Sequence, residues 1–340
     1  MAICGVIACA ESWEDIAQYA KSKEAWLRGF LTLKHGIPSH DTFRRVFMLI
    51  DPHQFEQCFR HWIGQWLEAT PVGHVAIDGK TIRHSFDRKW EQSPLHLVSA
   101  WASELRLVLG QEAVDRKSNE ITAIPALLAG LDLSGGLVTI DAAGCQKAIT
   151  QAILEQQADY VLTLKGNQKR TMRAVETWFA EHAFAVPAAL KPVLDAFDEH
   201  HGRLTRRRVF VHPVPTELNV LAEWPGVRSI LAVESIRMIK PYGRVTAEKR
   251  YFLSSVPVED ERQIAAIRQH WSIENSLHWV LDVTFQEDTS RVREQHARHN
   301  LALLRKIAIN LIHHSTTTGS VRSRRKQAAW NDAFMAQLLI

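Results

Sequence analysis

Three carboxylates in this sequence are spaced to do chemistry together. Asp78 closes the apolar run Val75-Ala76-Ile77, and Asp141 closes Leu137-Val138-Thr139-Ile140. Glu274 sits in a third stretch, Ile267 to Asp282, that reads as helix. Acids brought side by side repel one another unless cations compensate. A donor set made only of carboxylate oxygens suits Mg²⁺, with Mn²⁺ as a substitute, better than zinc. Two such ions about 3.5–4 Å apart would activate a water or hydroxyl and stabilise the leaving oxygen of a phosphodiester. Taken singly, each acid has a plainer explanation: Asp78-Gly79 as a turn, Asp141 as a helix N-cap, Glu274 as a solvated helix charge. Only the combination points to a site, and no Walker-type glycine loop competes for a phosphate role.

The stretch around Glu274 sets that acid one helical turn from both His270 and His278, on a shared face. Ile267, Trp271, Leu277 and Leu281 are its candidate packing residues. A zinc site on the two histidines fails on distance, because eight residues of helix span about 12 Å. Asp282 could cap, pair with a basic residue or sit near the metals, and is a second-rank candidate for the same site. Lys80 and Lys165 each follow a predicted strand; a solvated turn is the ordinary explanation for the first, and a phosphate contact is expected of the second. The run Arg206-Arg207-Arg208 lies in an alternating strand and reads mainly as a solvated face, with contact to a DNA backbone as the lesser alternative. Trp62 and Trp66 fall on a core stripe and receive no site role.

The elements that must position these residues can be read in order. Ser12 with Asp15 reads as a helix N-terminus, and the helix is expected to continue past Trp26 to Phe30. Ser39 can cap a second helix, whose Phe43, Val46, Phe47 and Ile50 recur at helical spacing with Arg44 and Arg45 off that face. Asp51-Pro52 opens a third, with a stripe running from Phe55 to Leu67. Thr70, Pro71 and Gly73 bound this helical part. Strands are expected at 75–78, 95–101, 106–111, 137–141 and 160–164, with helices from Asn119, Gln146 and Gln168. A proline-rich stretch with strand-like runs at 205–211, 229–238 and 246–254, and a Tyr242-Gly243 turn, looks like a β insertion.

The expected fold class is therefore α/β: a mixed-sheet core with a helical N-terminal module and a mostly β insertion before the last acidic helix. The expected boundaries are 1–72 for the helical module, 73–183 for the first part of the core, and 184–258 for the insertion. Residues 259–314 complete the core and carry the third acid. Residues 315–340 form a basic tail, expected to be mobile.

Bulk properties bound the rest. The 340 residues are 46% apolar and 23% charged, enough for a substantial core, and the net charge of +4 permits a polyanion partner without requiring one. Four cysteines without paired spacing fit reduced thiols and a cytoplasmic location. The apolar opening Met1 to Ala10 lacks a cationic start and is too short to span a bilayer, so a buried helix is expected there and no membrane partner.

Several stretches match a known family in order along nearly the whole chain. They are Gly36 to Phe43, Ala76 to Lys80, Asp141 to Gly144, Leu164 to Gln168, His270 to Trp279 with Leu281 to Phe285, and Asn300 to Arg305. With them the chain resembles the H-repeat-associated family of bacterial insertion-sequence transposases, DDE enzymes with a ribonuclease-H-like core. The resemblance implies that Asp78, Asp141 and Glu274 are the first, second and third acids of a catalytic, metal-binding triad. It implies Mg²⁺-dependent DNA cleavage and strand transfer, with terminal inverted repeats and target DNA as partners and a homodimer or larger assembly on DNA. Many such enzymes carry Tyr, Arg and Lys around the last acid, whereas Ile267, His270 and Leu281 occupy those places here. The candidates for DNA contact are Lys80, Lys165, Asn167, Arg268 and His270, with Arg44 and Arg45 in the helical module as a candidate end-binding surface. The family extends the N-terminus beyond the point where this chain starts, so a truncated first helix is expected. The alternative is an inactive or truncated transposase-derived protein that still binds DNA.

Overall fold

The computed structural model describes residues 1–67, 72–87, 89, 91–115, 118–185, 189–200, 202–240 and 243–339. The expected boundary residues Thr70 and Pro71, Pro187, and Tyr242 of the expected turn lie outside them. Two compact units emerge. The first comprises Met1–Pro71, Asp78–Asp132 and Trp271–Ile340, and the second Val72–Ile77 and Leu133–His270.

The first unit begins with helices, and their ends follow from local chemistry. Helix α1 (Ala2–Ile7) buries Cys4, Val6 and Ile7, as its apolar run requires. Helix α2 (Trp13–Ser22) starts in a full capping box: Ser12 Oγ accepts from Asp15 N–H, and the Asp15 carboxylate accepts from Ser12 N–H. The helix expected to continue to Phe30 is instead interrupted at Lys23, and a short α3 (Glu24–Leu27) follows. Ser39 caps α4 (His40–Leu49), which buries Phe43 and Phe47 but leaves Val46 exposed. Asp51 Oδ1 accepts from Gln54 N–H at the start of α5 (Pro52–Leu67). The stripe on α5 is narrower than its sequence implies. Phe59 and Ile63 are buried, Trp62 and Trp66 only partly so, and Cys58 is exposed.

Strand β1 (His74–Ile82) is shared, with residues 74–77 in the second unit and 78–82 in the first. In the first unit it neighbours β2 (Leu95–Ala102), which pairs antiparallel with β3 (Leu107–Ala113) across a bulge at Ala100/Trp101. Asn119 caps α6 (Glu120–Ala129), accepting from Ile121 N–H. The long helix α10 (Gln295–His314) is buried along most of its length and packs on α1, α4, α5 and β3. Its Asn310 side chain takes both backbone groups of Val108, accepting from the N–H and donating to the C=O at 2.8 Å each. That contact satisfies polar groups next to the bulge. The tail expected to be mobile forms α11 (Val321–Trp330) and α12 (Asp332–Leu339). Its Arg325 is buried, donates to the Val6 and Ile7 carbonyls, and lies over the Phe285 ring. A basic run gave no sequence sign of this, because the acceptors come from the other end of the chain.

In the second unit the strands run β1-β4-β5-β9-β8-β7-β6. Strand β4 (Leu137–Ile140) pairs parallel with β1 and with β5 (Asp159–Leu164). Helix α7 (Lys147–Glu155) connects them, and α8 (Lys169–His182) follows β5. The expected β insertion adds strands to the same sheet: β9 (Arg244–Ser254) pairs antiparallel with β5, then β8 (Ser229–Ile239), β7 (Arg203–Pro213) and β6 (Leu194–His200). Strand β6 was not expected, since Asp195, Asp198 and Glu199 dilute its apolar pattern. Helix α9 (Arg262–Gln269) packs on β4 and β5, and its Ala266 joins an apolar cluster with Leu137, Val161, Val209, Val211, Leu231, Val233 and Phe252, against which Ile264 and Ile267 pack. These are the strands and helices of the expected mixed sheet with its β insertion. No helix among the described residues is long and apolar enough to cross a membrane.

Replacing Asn310 by Ala strands one buried donor and one buried acceptor of Val108. A loss of about 3 kcal/mol in unfolding free energy is expected by urea denaturation. A loss under ~1 kcal/mol would show that the Val108 groups find other partners.

Candidate active site

In the first unit, Asp78 does not end a strand. Strand β1 continues through Gly79 and Lys80 to Ile82, so the Asp-Gly pair is strand interior and not a turn. Its glycine serves close approach instead: a Cβ at Gly79 would lie 1.9 Å from Glu120 Oε1 and 2.7 Å from His96 Nε2. Those two groups are themselves bonded at 2.7 Å, on the side of β1 opposite to Asp78 and Lys80.

The segment carrying Glu274 departs from a regular α-helix. Ile273–His278 and Val280–Thr284 are π-helical turns, in which a side chain returns to the same face after more residues than in an α-helix. The four-residue spacing that joined Glu274 to His270 and His278 therefore does not apply. Leu277 and Leu281 are buried as expected and Ile273 with them, while Trp271 is 44% exposed. Glu274 is exposed. His278 turns inward, with Nδ1 at 3.4 Å from Asp78 Oδ2 and its ring largely buried. Burial, with Lys306, Lys80 and His96 nearby, pushes its pKa down to about 3, so the imidazole facing Asp78 is neutral.

Lys80 is not a solvated lysine. Its Nζ lies 2.6 Å from Asp282 Oδ1, 2.9 Å from Glu287 Oε2 and 3.6 Å from Asp288 Oδ1. Burial disfavours its charge, but Glu287 and Asp282 outweigh that and hold its pKa above the usual lysine value. The expected solvated turn lysine is thus held by three acids, and Asp282 is one of its partners. Glu287, the innermost of the three, is 1% exposed. Burial penalises its charge, yet Lys80, Arg305 and Lys306 more than compensate, and its pKa falls below the ordinary carboxylate value. Lys306 is wholly buried and donates to Ser99 Oγ and Gln111 Oε1 at 2.9 and 2.6 Å. Its pKa is pushed down to about 8, burial being the main cause. Sequence reasoning gave Glu287, Arg305 and Lys306 no role. The available signal was Arg305-Lys306 set inside the otherwise apolar run of α10, where charge is tolerated only if paired.

In the second unit, Asp141 follows the last residue of β4, and its Oδ1 accepts from Ala143 and Gly144 N–H at 2.9 and 3.4 Å. It is therefore a turn acid; Gln146 holds the N-cap position of α7. Asn167 Nδ2 donates to the Ala142 carbonyl at 2.7 Å, bracing that turn from the segment after β5. Lys165 and Arg268 are exposed, as DNA-contact candidates must be. His270 is a poor cation: its Nδ1 lies 3.0 Å from Thr139 Oγ1, which also meets His74 Nε2 at 2.7 Å. Burial lowers the His270 pKa, against a smaller opposing pull from Asp141. Arg44 and Arg45 in the first unit are exposed, Arg44 at 3.4 Å from Asp41.

In the β1–β4 ladder Ile77 pairs with Ile140. Asp78 follows Ile77 within β1, and Asp141 follows Ile140 just past the end of β4. Among the described residues, no group of three or more His, Cys, Asp or Glu side chains is arranged to hold a metal ion.

Residues 71–311 match the family described as transposase DDE domain, and residues 1–63 match its associated N-terminal family, DDE_Tnp_1-associated. This chain belongs to the DDE transposase family. It is 36% identical to the "H repeat-associated putative transposase YhhI" of Escherichia coli K12 over all of this chain and 90% of that protein. Identity to the "Putative transposase YncI" of Escherichia coli O157:H7 is 38%, over all of this chain and 87% of the relative. A piggyBac transposase synaptic complex with hairpin DNA superposes with a TM-score of 0.43 at 13% identity, over 99% of this chain and 72% of that one.

The Glu287 carboxylate should dominate the stability of this DDE family member's first unit. Glu287→Gln leaves Lys80 and Arg305 short of a buried counter-charge, and a loss of about 3 kcal/mol at pH 7 is expected by chemical denaturation. Because the folded pKa of Glu287 lies below the unfolded value of ~4.3, its stabilisation is present above that value and lost as pH falls through the folded pKa. The gap between wild type and variant should therefore narrow below about pH 4. A gap independent of pH would show that the charge is not what matters.

Proposed function

We propose that this chain is a DDE transposase that cuts DNA at the ends of an insertion sequence and joins the freed 3′-hydroxyl to target DNA. The observation that carries the reading is the pairing of Ile77 with Ile140, the residues that immediately precede Asp78 and Asp141. Membership of the transposase DDE domain family supports it. The reading takes Asp78, Asp141 and Glu274 as the catalytic acids.

The donor chemistry fits a divalent cation. All three ligating groups are carboxylates, a hard oxygen set suited to Mg²⁺ or Mn²⁺. Asp141 spends Oδ1 on two backbone N–H groups, which fixes the carboxylate and leaves Oδ2 for a ligand. A bound ion would supply charge stabilisation for the attacking and leaving oxygens of the phosphodiester. The protein's own contribution is orientation. In support of this reading, the neutral His278 ring lies beside the Asp78 carboxylate, and Asn167 braces the Asp141 turn. Lys165 and Arg268, both exposed, are the candidates for phosphate contacts. A neutral His278 beside Asp78 adds no positive charge to the site.

The test is cleavage of a supercoiled plasmid bearing the element ends, with Mg²⁺, by wild type and by Asp78→Asn, Asp141→Asn and Glu274→Gln. Each variant should lose at least about a hundredfold in nicking rate, equivalent to ~3 kcal/mol of transition-state stabilisation. Chelation by EDTA should abolish wild-type nicking, and added Mg²⁺ should restore it. Equal nicking by wild type and the three variants would remove the triad assignment. DNA binding without any metal-dependent nicking by wild type would favour the non-catalytic DNA-binding alternative.

A further inference from the structure

Strands β7, β8 and β9 extend the sheet of the second unit, and their register sorts their charges onto two faces. Paired residues of antiparallel strands share a face, and the face alternates along each strand. On one face lie Arg206, Arg208, Glu234 and Lys249, together with Asp195 of β6. Their charges largely cancel: Arg206 pairs with Asp195 at 2.6 Å, Arg208 pairs with Glu234, and Lys249 sits 3.8 Å over the Phe184 ring. Phe197, Met238 and Val245, exposed by 66, 40 and 54%, belong to this same face.

The opposite face carries Arg203, Arg207, Arg237, Arg244 and Arg250 against Asp198 and Glu248, a balance of five cations to two acids. Arg250 is committed to Glu248 at 2.7 Å. Arg237 and Lys165 also act on Glu248, which lies below the ordinary carboxylate range, so Lys165 at the end of β5 continues the same positive strip. Nearer the core, Val209, Val211, Leu231, Val233 and Phe252 of this same face share an apolar cluster with Ala266 of α9. Helix α9 carries the exposed Arg268 and leads along the chain into the segment of Glu274. A cationic row along one face of a twisted sheet matches the spaced negative charges of a nucleic-acid backbone, whereas the apolar, charge-balanced face does not.

We infer that the face bearing Arg203, Arg207, Arg237 and Arg244, continued by Lys165, is a docking surface for the phosphate backbone of duplex DNA. The inference rests on the proposed action on DNA and adds where part of that DNA lies. These contacts are to phosphate and position the duplex without reading its sequence. The run Arg206-Arg207-Arg208 thereby divides: Arg207 faces DNA, and its two neighbours are tied to acids on the other side.

The two faces allow a test at constant net charge with the full-length protein. Arg207→Gln with Arg237→Gln removes two charges from the proposed surface, and Arg206→Gln with Lys249→Gln removes two from the other. Binding of a labelled duplex is followed by fluorescence anisotropy across a salt series. The first pair should weaken binding roughly tenfold and flatten the slope of log K against log salt by about 2, with the same effect on unrelated duplexes. The second pair should change the slope by less than about 0.5 on the same scale. Equal effects from both pairs would mean that overall charge and not this face is responsible, and would overturn the inference. If wild type binds and nicks DNA while the first pair binds with an unchanged slope, the inference fails and the proposed function stands. If wild type binds no DNA, both fail together.

Discussion

The buried carboxylate of Glu287 is the constraint around which the first unit is arranged. An acid with 1% exposure survives as a charge only because Lys80, Arg305 and Lys306 approach it from strand β1 and helix α10. Lys80 lies two residues beyond Asp78 on the same side of β1, and it is also held by Asp282, four residues beyond His278. The ion pairs thus lock the strand bearing the first proposed catalytic acid to the π-helical segment that bears the third. The cost of burying so many charges is large, and hydrophobic replacements could make an equally stable core. What charge offers in its place is a fixed register, because a slip along the strand would leave unpaired ions in an apolar interior.

The same economy governs polar groups elsewhere. Asn310 closes the backbone groups left at Val108, Asn300 donates to the Phe47 and Ile50 carbonyls at the end of α4, and Arg325 gathers carbonyls near the end of α1. Each joins segments far apart in sequence to α10 or α11. In the second unit Thr139 stands between His74 and His270, tying β1 and β4 to the end of α9. Polar side chains in these interiors act as fasteners between elements, while apolar side chains supply the bulk of the burial.

The β extension illustrates how one structural choice yields two surfaces. Pairing β9 onto β5 continues the sheet beyond the core, and alternation then gives the extension two unlike faces. Near the core, both faces are covered: Val209 and Val233 share an apolar cluster with Ala266 of α9, and on the other side Phe179 and Phe184 lie on Tyr251 and Phe210. Farther out neither is covered by these helices. There the arginine-rich face and the apolar, charge-balanced face diverge in the partners they suit, with the arginines matching a polyanion.

Local signals in the sequence determined a good deal. Ser12, Ser39, Asp51 and Asn119 announced their helix starts because a capping side chain answers N–H groups only two or three residues away. The apolar runs before Asp78 and Asp141 announced strands, since burial on a pleated sheet depends on neighbouring residues. What tertiary structure decided was whatever depends on partners distant in the chain. It made Asp78 strand interior, turned Lys80 from a surface lysine into the centre of an ion cluster, widened the turn at Glu274, and ordered the basic tail through carbonyls of the first helix. It also divided Arg206, Arg207 and Arg208 between two environments. The physical reason is that helix caps and strand periodicity are short-range, whereas register, burial of charge and the choice of face are fixed only when separate segments meet.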